Sequence, residues 1–304
     1  MGKVSKDFFK KRIVKIEDES YDEVPIAIGT PFYNPLPFID QYFISLLKLD
    51  YPRDLISLYW TFQGDDESES LLYWFEKKYG KEYRKIRIKK FPLIRNTDRN
   101  HTYNIVRNRN WIIDASSPDL LLFIDHDNFP PPYTIKRLLI NLNYCDIATG
   151  VYPFFQEGKL GFTAFFLEGN SAYHLALHKE GNKLYFPSEI LGERLYSDAI
   201  GTGTCMVKRE VLDKVRFEVP PNLMTEDTYW SLRARKLGFK IISDFGLMVP
   251  HWGFKLIFGK DDGKRVEVKA YLSRRMNERR KEMEDSKVYT PVFKRKGLNR
   301  KKKV

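Results

Sequence analysis

The densest chemistry in this 304-residue chain lies in Leu120–Asp127, LLLFIDHD. An apolar run ends in two carboxylates, Asp125 and Asp127, at i and i+2. Neighbouring carboxylates repel, and they are best tolerated where they bind a hard cation such as Mg²⁺ or Mn²⁺. Such an ion bridges to a diphosphate and stabilises it as a leaving group. Taken alone, the pair also reads as a polar loop after a buried strand. A second acidic pair, Glu226-Asp227, opens TEDTYWSLRARKLG. Acidic residues are ordinary in a first helical turn, where they favour the positive end of the helix dipole. One that faces a pocket serves as a general base on a hydroxyl. The third feature is His251, in VPHWG, in a loop after the last strand; a lone His there reads either as a satisfied structural residue or as a metal or phosphate ligand.

These groups need a frame that brings strand ends to one edge. Val24–Gly29 (VPIAIG), Leu55–Phe62 (LISLYWTF), Leu120–Ile124 (LLLFI) and Asp146–Tyr152 read as buried strands, and Lys85–Lys89 alternates like a strand. Phe38–Lys48, Leu71–Tyr79, Asp98 to about Ala115 and Tyr133–Leu142 read as helices between them. Strand–helix alternation at intervals of about 30 residues predicts a mostly parallel sheet covered on both faces. Ligands bind such sheets at the carboxyl edge. Residues 153–200 are irregular and aromatic-rich, and read as hairpins or loops. Thr204–Lys208 reads as a strand, Arg209–Lys214 as a short helix, and Glu226–Leu237 as a helix capped by Thr225 and stopped by Gly238. Lys240–Ser243 returns to the sheet, Val266–Asp285 reads as a charged helix, and Lys287–Val304 as a loose tail.

Composition narrows the classes. Hydrophobic residues make up 42% of the chain, enough for a packed core, so a disordered chain is excluded. The two cysteines, Cys145 and Cys205, form no CxxC pair, which argues against a zinc ribbon or a dithiol site. Met1–Ser20 lacks the apolar core of a secretory signal, and no segment reaches the roughly 18 apolar residues of a membrane span. The expectation is a cytoplasmic protein, soluble or peripheral on the inner membrane face. The formal net charge is +12, but residues 264–304 hold 16 Lys and Arg against 5 Asp and Glu, so the preceding body is almost neutral. The tail suits an anionic membrane surface or another polyanion. No helix-turn-helix, RRM or zinc-finger signature supports specific nucleic-acid recognition.

The order of these features resembles the GT-A glycosyltransferases, especially the family 2-like enzymes, over about residues 24–253. Ile26–Tyr59, with Thr30-Pro31, Asn34 and Ser45-Leu46-Leu47, is similar to that family's first strand, nucleotide loop and helix. Asp65-Asp66 falls where the family places acidic residues near the donor's base and ribose. Val106–Asn110 (VRNRN) resembles its Ala-Arg-Asn helix, with Arg107 or Arg109 as the equivalent arginine. Asp125-His126-Asp127 matches the DxD motif. Gly201–Thr204 resembles the acceptor-side segment, and Glu226-Asp227 through Ile241 the Glu-Asp helix and its following strand. The Gln-x-x-Arg-Trp motif of processive synthases is absent, and Tyr229-Trp230-Ser231 occupies that neighbourhood.

The resemblance implies an α/β fold with a Rossmann-like sheet in a single large domain. An N-terminal extension would span 1–22, the catalytic domain 23–260 (donor half 23–152, acceptor half 153–260), and a basic helix and tail 261–304. It implies transfer of a sugar from a UDP- or GDP-linked donor, with Mn²⁺ or Mg²⁺, to a glycan, lipid-linked or protein acceptor. Thr30, Pro31, Asn34, Asp65, Asp66, Arg107 or Arg109, Asp125 and His126 would hold the donor. Asp125, Asp127 and His251 would hold the metal, and Gly203, Thr204 and Trp230 the acceptor. Asp227, or Glu226 in its place, would be the base of an inverting reaction. A retaining enzyme like the mannan-polymerase-type transferases, a metal-dependent nuclease or nucleotidyltransferase, and a non-enzymatic polyanion-binding protein are the alternatives.

Overall fold

The computed structural model describes residues 6–272 apart from 36–37, 65–66, 95–97, 157–158, 170 and 222–223. In chain order the first half holds α1 (Lys6–Lys10), β1 (Ile26–Tyr33), α2 (Ile39–Leu47), β2 (Ile56–Gln63), α3 (Ser68–Tyr79), β3 (Lys85–Lys90), α4 (Asp98–Ala115), β4 (Leu120–Ile124), α5 (Thr134–Leu142) and β5 (Ile147–Val151). Seven short strands follow: β6 (Pro153–Gln156), β7 (Lys159–Glu168), β8 (Ser171–Ala176), β9 (His178–Glu180), β10 (Lys183–Pro187), β11 (Arg194–Tyr196) and β12 (Ala199–Ile200). The chain then continues with β13 (Thr204–Lys208), α6 (Arg209–Lys214), α7 (Glu226–Lys236), β14 (Ile241–Met248), β15 (Phe254–Asp261) and β16 (Arg265–Leu272).

The main sheet has the order β11-β14-β5-β13-β4-β1-β2-β3. Pairs β1–β2, β1–β4, β2–β3 and β14–β5 are parallel, while β13 runs antiparallel between β4 and β5. The continuous apolar runs of β1, β2 and β4 follow from burial on both faces. One face packs Phe43, Trp60, Phe75 and Leu138 with helices α2, α3 and α5. The other packs Ile112, Phe123, Leu212 and Trp230 with α4, α6 and α7. Helix α4 lies so close to β1 that a Cβ at Gly29 would stand 2.3 Å from Ile112 Cγ2. Because β13 is reversed, its N-terminus meets the C-terminal ends of β4 and β5. The Asp125 N–H donates to the Gly203 carbonyl at 2.9 Å across that junction.

The irregular region is built of two small sheets, β15-β16-β10-β9 and β12-β7-β6 with β8 on β7. They enclose a third apolar cluster around Phe162, Phe166, Phe186 and Phe245. The expected charged helix from Val266 is a strand as far as Leu272. Val266 and Val268 alternate with Glu267 and Lys269, and both valines are buried between β10 and β15. A boundary near residue 260 therefore falls inside a paired hairpin. The rest of that segment, residues 273–304, lies outside the described residues.

The N-terminal segment does not stand apart either. The Val14 N–H donates to the Arg194 carbonyl at 2.8 Å, and Ile13 bridges Leu195. Arg12 Nη1 sits 3.0 Å from the buried Asp198 carboxylate, and the Phe9 ring packs edge-on against Phe166 at 5.2 Å.

Candidate active site

The carboxyl edge of the main sheet gathers residues from six elements. Strand β4 delivers Asp125 and Asp127, β5 is followed by Tyr152, and β13 is preceded by Gly203. Helix α7 begins with Glu226 and Asp227, helix α4 contributes Arg109, and the loop after β14 contributes His251.

Arg109 is at the centre and is 2% exposed. Its Nη2 donates to Asp125 Oδ1 at 3.0 Å and Oδ2 at 3.2 Å, and its Nε lies 3.7 Å from Glu226 Oε1. The guanidinium also lies over the Phe123 and Phe217 rings. Burial disfavours its charge, but Asp125, Glu226 and Asp227 outweigh burial and raise its pKa. Its Nε and Nη1 have no hydrogen-bond partner among the described residues. Buried donors of this kind are costly unless something accepts from them. Arg107, two residues earlier, points elsewhere: Nη2 donates to the Pro92 carbonyl at 2.7 Å and the guanidinium covers the Phe91 ring. Of the two, Arg109 is the one that meets the acidic residues of this edge.

The two carboxylates of the DxD differ. Burial raises the pKa of Asp125, with Arg109 opposing and Asp127 adding to the rise. Burial also acts on Asp127, but the His251 charge and hydrogen bond, with His126, outweigh it and hold the carboxyl below its ordinary range. His251 Nε2 is 3.2 Å from Asp127 Oδ2, and Nδ1 is 3.2 Å from the Pro153 carbonyl. Burial lowers the His251 pKa, and Asp127 more than compensates, so the net shift is upward. Backbone bonds fix the same corner: Trp252 N–H donates to the Asp127 carbonyl at 2.8 Å and Phe129 N–H to the Pro250 carbonyl at 2.9 Å.

Among the described residues no group of three or more His, Cys, Asp or Glu converges as a complete metal centre. Asp127 and His251 form a carboxylate–imidazole pair at that edge. Mg²⁺-class ions use such partial sets when substrate phosphates and water fill the remaining positions. The residues therefore fit a divalent ion carried with a diphosphate. Asp125 is committed to Arg109.

The second acidic pair is also asymmetric. Asp227 is half-buried. Its Oδ1 accepts from the Thr225 hydroxyl and from Thr228 N–H at 2.7 Å, and among the described residues its Oδ2 accepts only a long 3.4 Å bond from Thr202 N–H. Glu226 is buried against Arg109, and burial first, then Asp227, pushes its pKa up to about 7. An acid with a raised folded-state pKa stabilises the fold below its ordinary value. That advantage is lost as pH rises from about 4.5 towards about 7. Glu226→Gln is accordingly expected to flatten the dependence of melting temperature on pH across that window.

Other predicted residues make contacts within the scaffold. The Thr30 and Tyr42 hydroxyls are bonded at 2.6 Å inside the core. Pro31 is buried, and its carbonyl meets His126 Nδ1 at 2.9 Å, while the His126 ring stacks on Phe38 at 5.3 Å. Asn34 holds a left-handed φ of 41° at the end of β1. The Thr204 hydroxyl donates to the Gly203 carbonyl. Trp230 is fully buried, stacks on Phe217 at 4.9 Å and donates from Nε1 to the Val215 carbonyl at 2.8 Å, so it does not face an acceptor. Trp230→Ala should destabilise the fold by about 3–5 kcal/mol in a denaturant titration. Asp65 and Asp66 lie outside the described residues.

Sequence reading missed two features. The Tyr152 hydroxyl accepts from Gly203 N–H at 3.1 Å, and burial first, then the charges of Asp125 and Asp227, raises its pKa. A Cβ at Gly203 would stand 2.8 Å from that hydroxyl and 2.6 Å from Asn128 Nδ2, so only glycine lets the two strand ends meet. The other is a buried amide ladder at the end of β2. Asn108 Nδ2 donates to Gln63 Oε1 at 2.9 Å, and Gln63 Nε2 donates to Asn104 Oδ1 at 3.1 Å. Tyr152 was accessible to the rule that ligands meet strand ends at the carboxyl edge. The ladder left no local signal.

No protein-family model matches the sequence, and no curated protein sequence matches it. Solved structures do share its architecture. A mannosyltransferase from Pyrobaculum calidifontis, solved with GDP-Man and Mn²⁺, aligns at a TM-score of 0.51 and 13% identity, over 76% of this chain and 57% of its own. GalNAc-T7, solved with UDP, GalNAc and Mn²⁺, aligns at 0.52 and 15% identity, over 77% of this chain and 44% of its own. The chain thus spans about half the length of these structures. The architecture is the GT-A fold of the glycosyltransferases, with the large sheet and flanking helices that the residue pattern implied.

Proposed function

We propose that this chain is a glycosyltransferase, moving a sugar from a nucleotide-diphosphate donor to an acceptor hydroxyl with inversion at the anomeric carbon. One observation carries the reading: the Asp127–His251 corner and the Glu226–Asp227 pair meet at one sheet edge, joined through Arg109 and Asp125. The GT-A neighbours solved with UDP or GDP-Man and Mn²⁺ support a UDP- or GDP-linked donor.

Asp127 and His251 would hold the divalent ion, Mn²⁺ or Mg²⁺. When bound, that ion supplies positive charge to the departing diphosphate. Arg109 supplies further positive charge from beneath this edge, where it is buried against Asp125 and Glu226. Asp125 orients Arg109 through two hydrogen bonds. Asp227 is placed to take the acceptor proton, because Oδ2 is only weakly engaged while Oδ1 is anchored by Thr225 and Thr228. Glu226, buried and turned to Arg109, balances the guanidinium charge rather than meeting an acceptor. Gly203 and Tyr152 shape the wall between the two halves, and the basic residues beyond 272 add attraction to an anionic surface.

A panel of UDP- and GDP-sugars with Mn²⁺ tests the reading through slow donor hydrolysis, and NMR of the released sugar or product gives the anomer. An inverted anomer is expected. A retained anomer would favour a mannan-polymerase-like mechanism, and hydrolysis of nucleic acid in place of sugar nucleotides would overturn the assignment.

A further inference from the structure

The near-neutral charge of the body conceals a strongly basic segment. Residues 77–90, KKYGKEYRKIRIKK, hold eight Lys and Arg against one Asp or Glu. They span the end of α3 and the edge strand β3. Lys77, Lys81, Arg84, Lys85, Arg87 and Lys89 are all exposed, and none makes an ion pair among the described residues. Lysines on an edge strand are a common guard against strand-to-strand aggregation. That explains β3 but not α3, whose solvent face carries Tyr73 at 47% and Trp74 at 48% exposure beside Lys77 and Lys78. Lys78 Nζ lies 4.9 Å from the Trp74 ring centroid. On neighbouring α2, Phe43 reaches within 6.5 Å of Trp74, and the next residue, Ile44, is 51% exposed.

We propose that the exposed face of α3, beside α2, is a docking surface for an anionic lipid bilayer, with Tyr73 and Trp74 seated at the headgroup level and Lys77, Lys78 and Lys81 on acidic headgroups, while Arg87 of β3 turns to the other side of the sheet over Trp111. Tyr and Trp favour the membrane interface because one end of each ring is apolar and the other wet. Basic side chains close to an anionic leaflet add attraction side chain by side chain. The aromatics project from a helix face, whereas single-stranded nucleic acid is gripped in a basic groove that tracks its backbone. The undescribed C-terminal stretch does not suit this face as a cover: residues 273–304 hold 13 Lys and Arg against 4 Asp and Glu. The inference is independent of the catalytic reading, since it is tested without donor or acceptor.

The test is vesicle co-sedimentation of the full chain, using phosphatidylcholine alone or mixed with phosphatidylglycerol. Tyr73→Ser/Trp74→Ser and Lys77→Glu/Lys78→Glu/Lys81→Glu are compared, each checked for an unchanged melting temperature. Binding only to the acidic vesicles, weakened by about tenfold or more in each variant, is the expected result. Wild-type binding by both variants would overturn the proposal. So would a single-stranded oligonucleotide that binds through the same residues while the vesicles do not.

Discussion

Asp127→Asn is expected to lower sugar transfer by about 10²–10³-fold while leaving the fold intact. Losing one group that stabilises developing charge on a leaving group has effects of this size. Asn keeps the shape of the side chain and one acceptor oxygen, and the backbone bond from Trp252 to residue 127 does not depend on the carboxylate. What disappears is the negative charge facing His251 at 3.2 Å. His251 then loses the partner that raises its pKa most and keeps only Asp125 and the Pro153 carbonyl against burial, which lowers it. The variant should also lose Mn²⁺-dependent stabilisation by nucleotide diphosphates in a thermal-shift assay. Asp125→Asn should behave differently. It removes half of an ion pair with a guanidinium that is 2% exposed, so the melting temperature should fall as well as the rate.

The second large effect is expected at the acceptor side. Asp227→Asn should retain donor binding and reduce transfer by about 10²–10⁴-fold, the contribution typical of a positioned general base. Asn keeps an oxygen for Thr225 and Thr228, so the first turn of α7 survives. Glu226→Gln should cost less, because that side chain faces Arg109 and is buried from an acceptor. The two variants are read by initial rates at saturating donor. A larger loss in Glu226→Gln than in Asp227→Asn would exchange their roles.

The parallel frame was legible because its strands are buried on both faces. LLLFI and VPIAIG are continuous apolar runs and LISLYWTF nearly so, and LLLFI and LISLYWTF lead directly into polar residues at the carboxyl edge. The small sheets were not legible. Strand β10 finds its partner β16 about eighty residues later in the register Leu184↔Val268, a pairing that no local pattern announces. The same distance explains the misread helix, since Val266, Val268 and Tyr271 suit either period until β10 and β15 are in place. Within the site, the spaced carboxylates and His251 stood out by residue type. The choice between Arg107 and Arg109 needed the packing of α4, because two residues along a helix turn side chains to different sides. Trp230 lay in an informative motif yet serves Phe217 and Val215. Whole-chain charge sums hid the basic run at residues 77–90, since acidic residues elsewhere in the body cancel it.

The central claim is that Asp127 and His251 join a metal-borne nucleotide diphosphate at this edge. The most direct measurement is the melting temperature of the full chain with UDP, GDP and their sugars, with and without Mn²⁺, for the wild type beside Asp127→Asn. The expected result is stabilisation by one nucleotide that requires Mn²⁺ and vanishes in the variant. No Mn²⁺-dependent shift with any of them, or an equal shift in Asp127→Asn, would contradict the account.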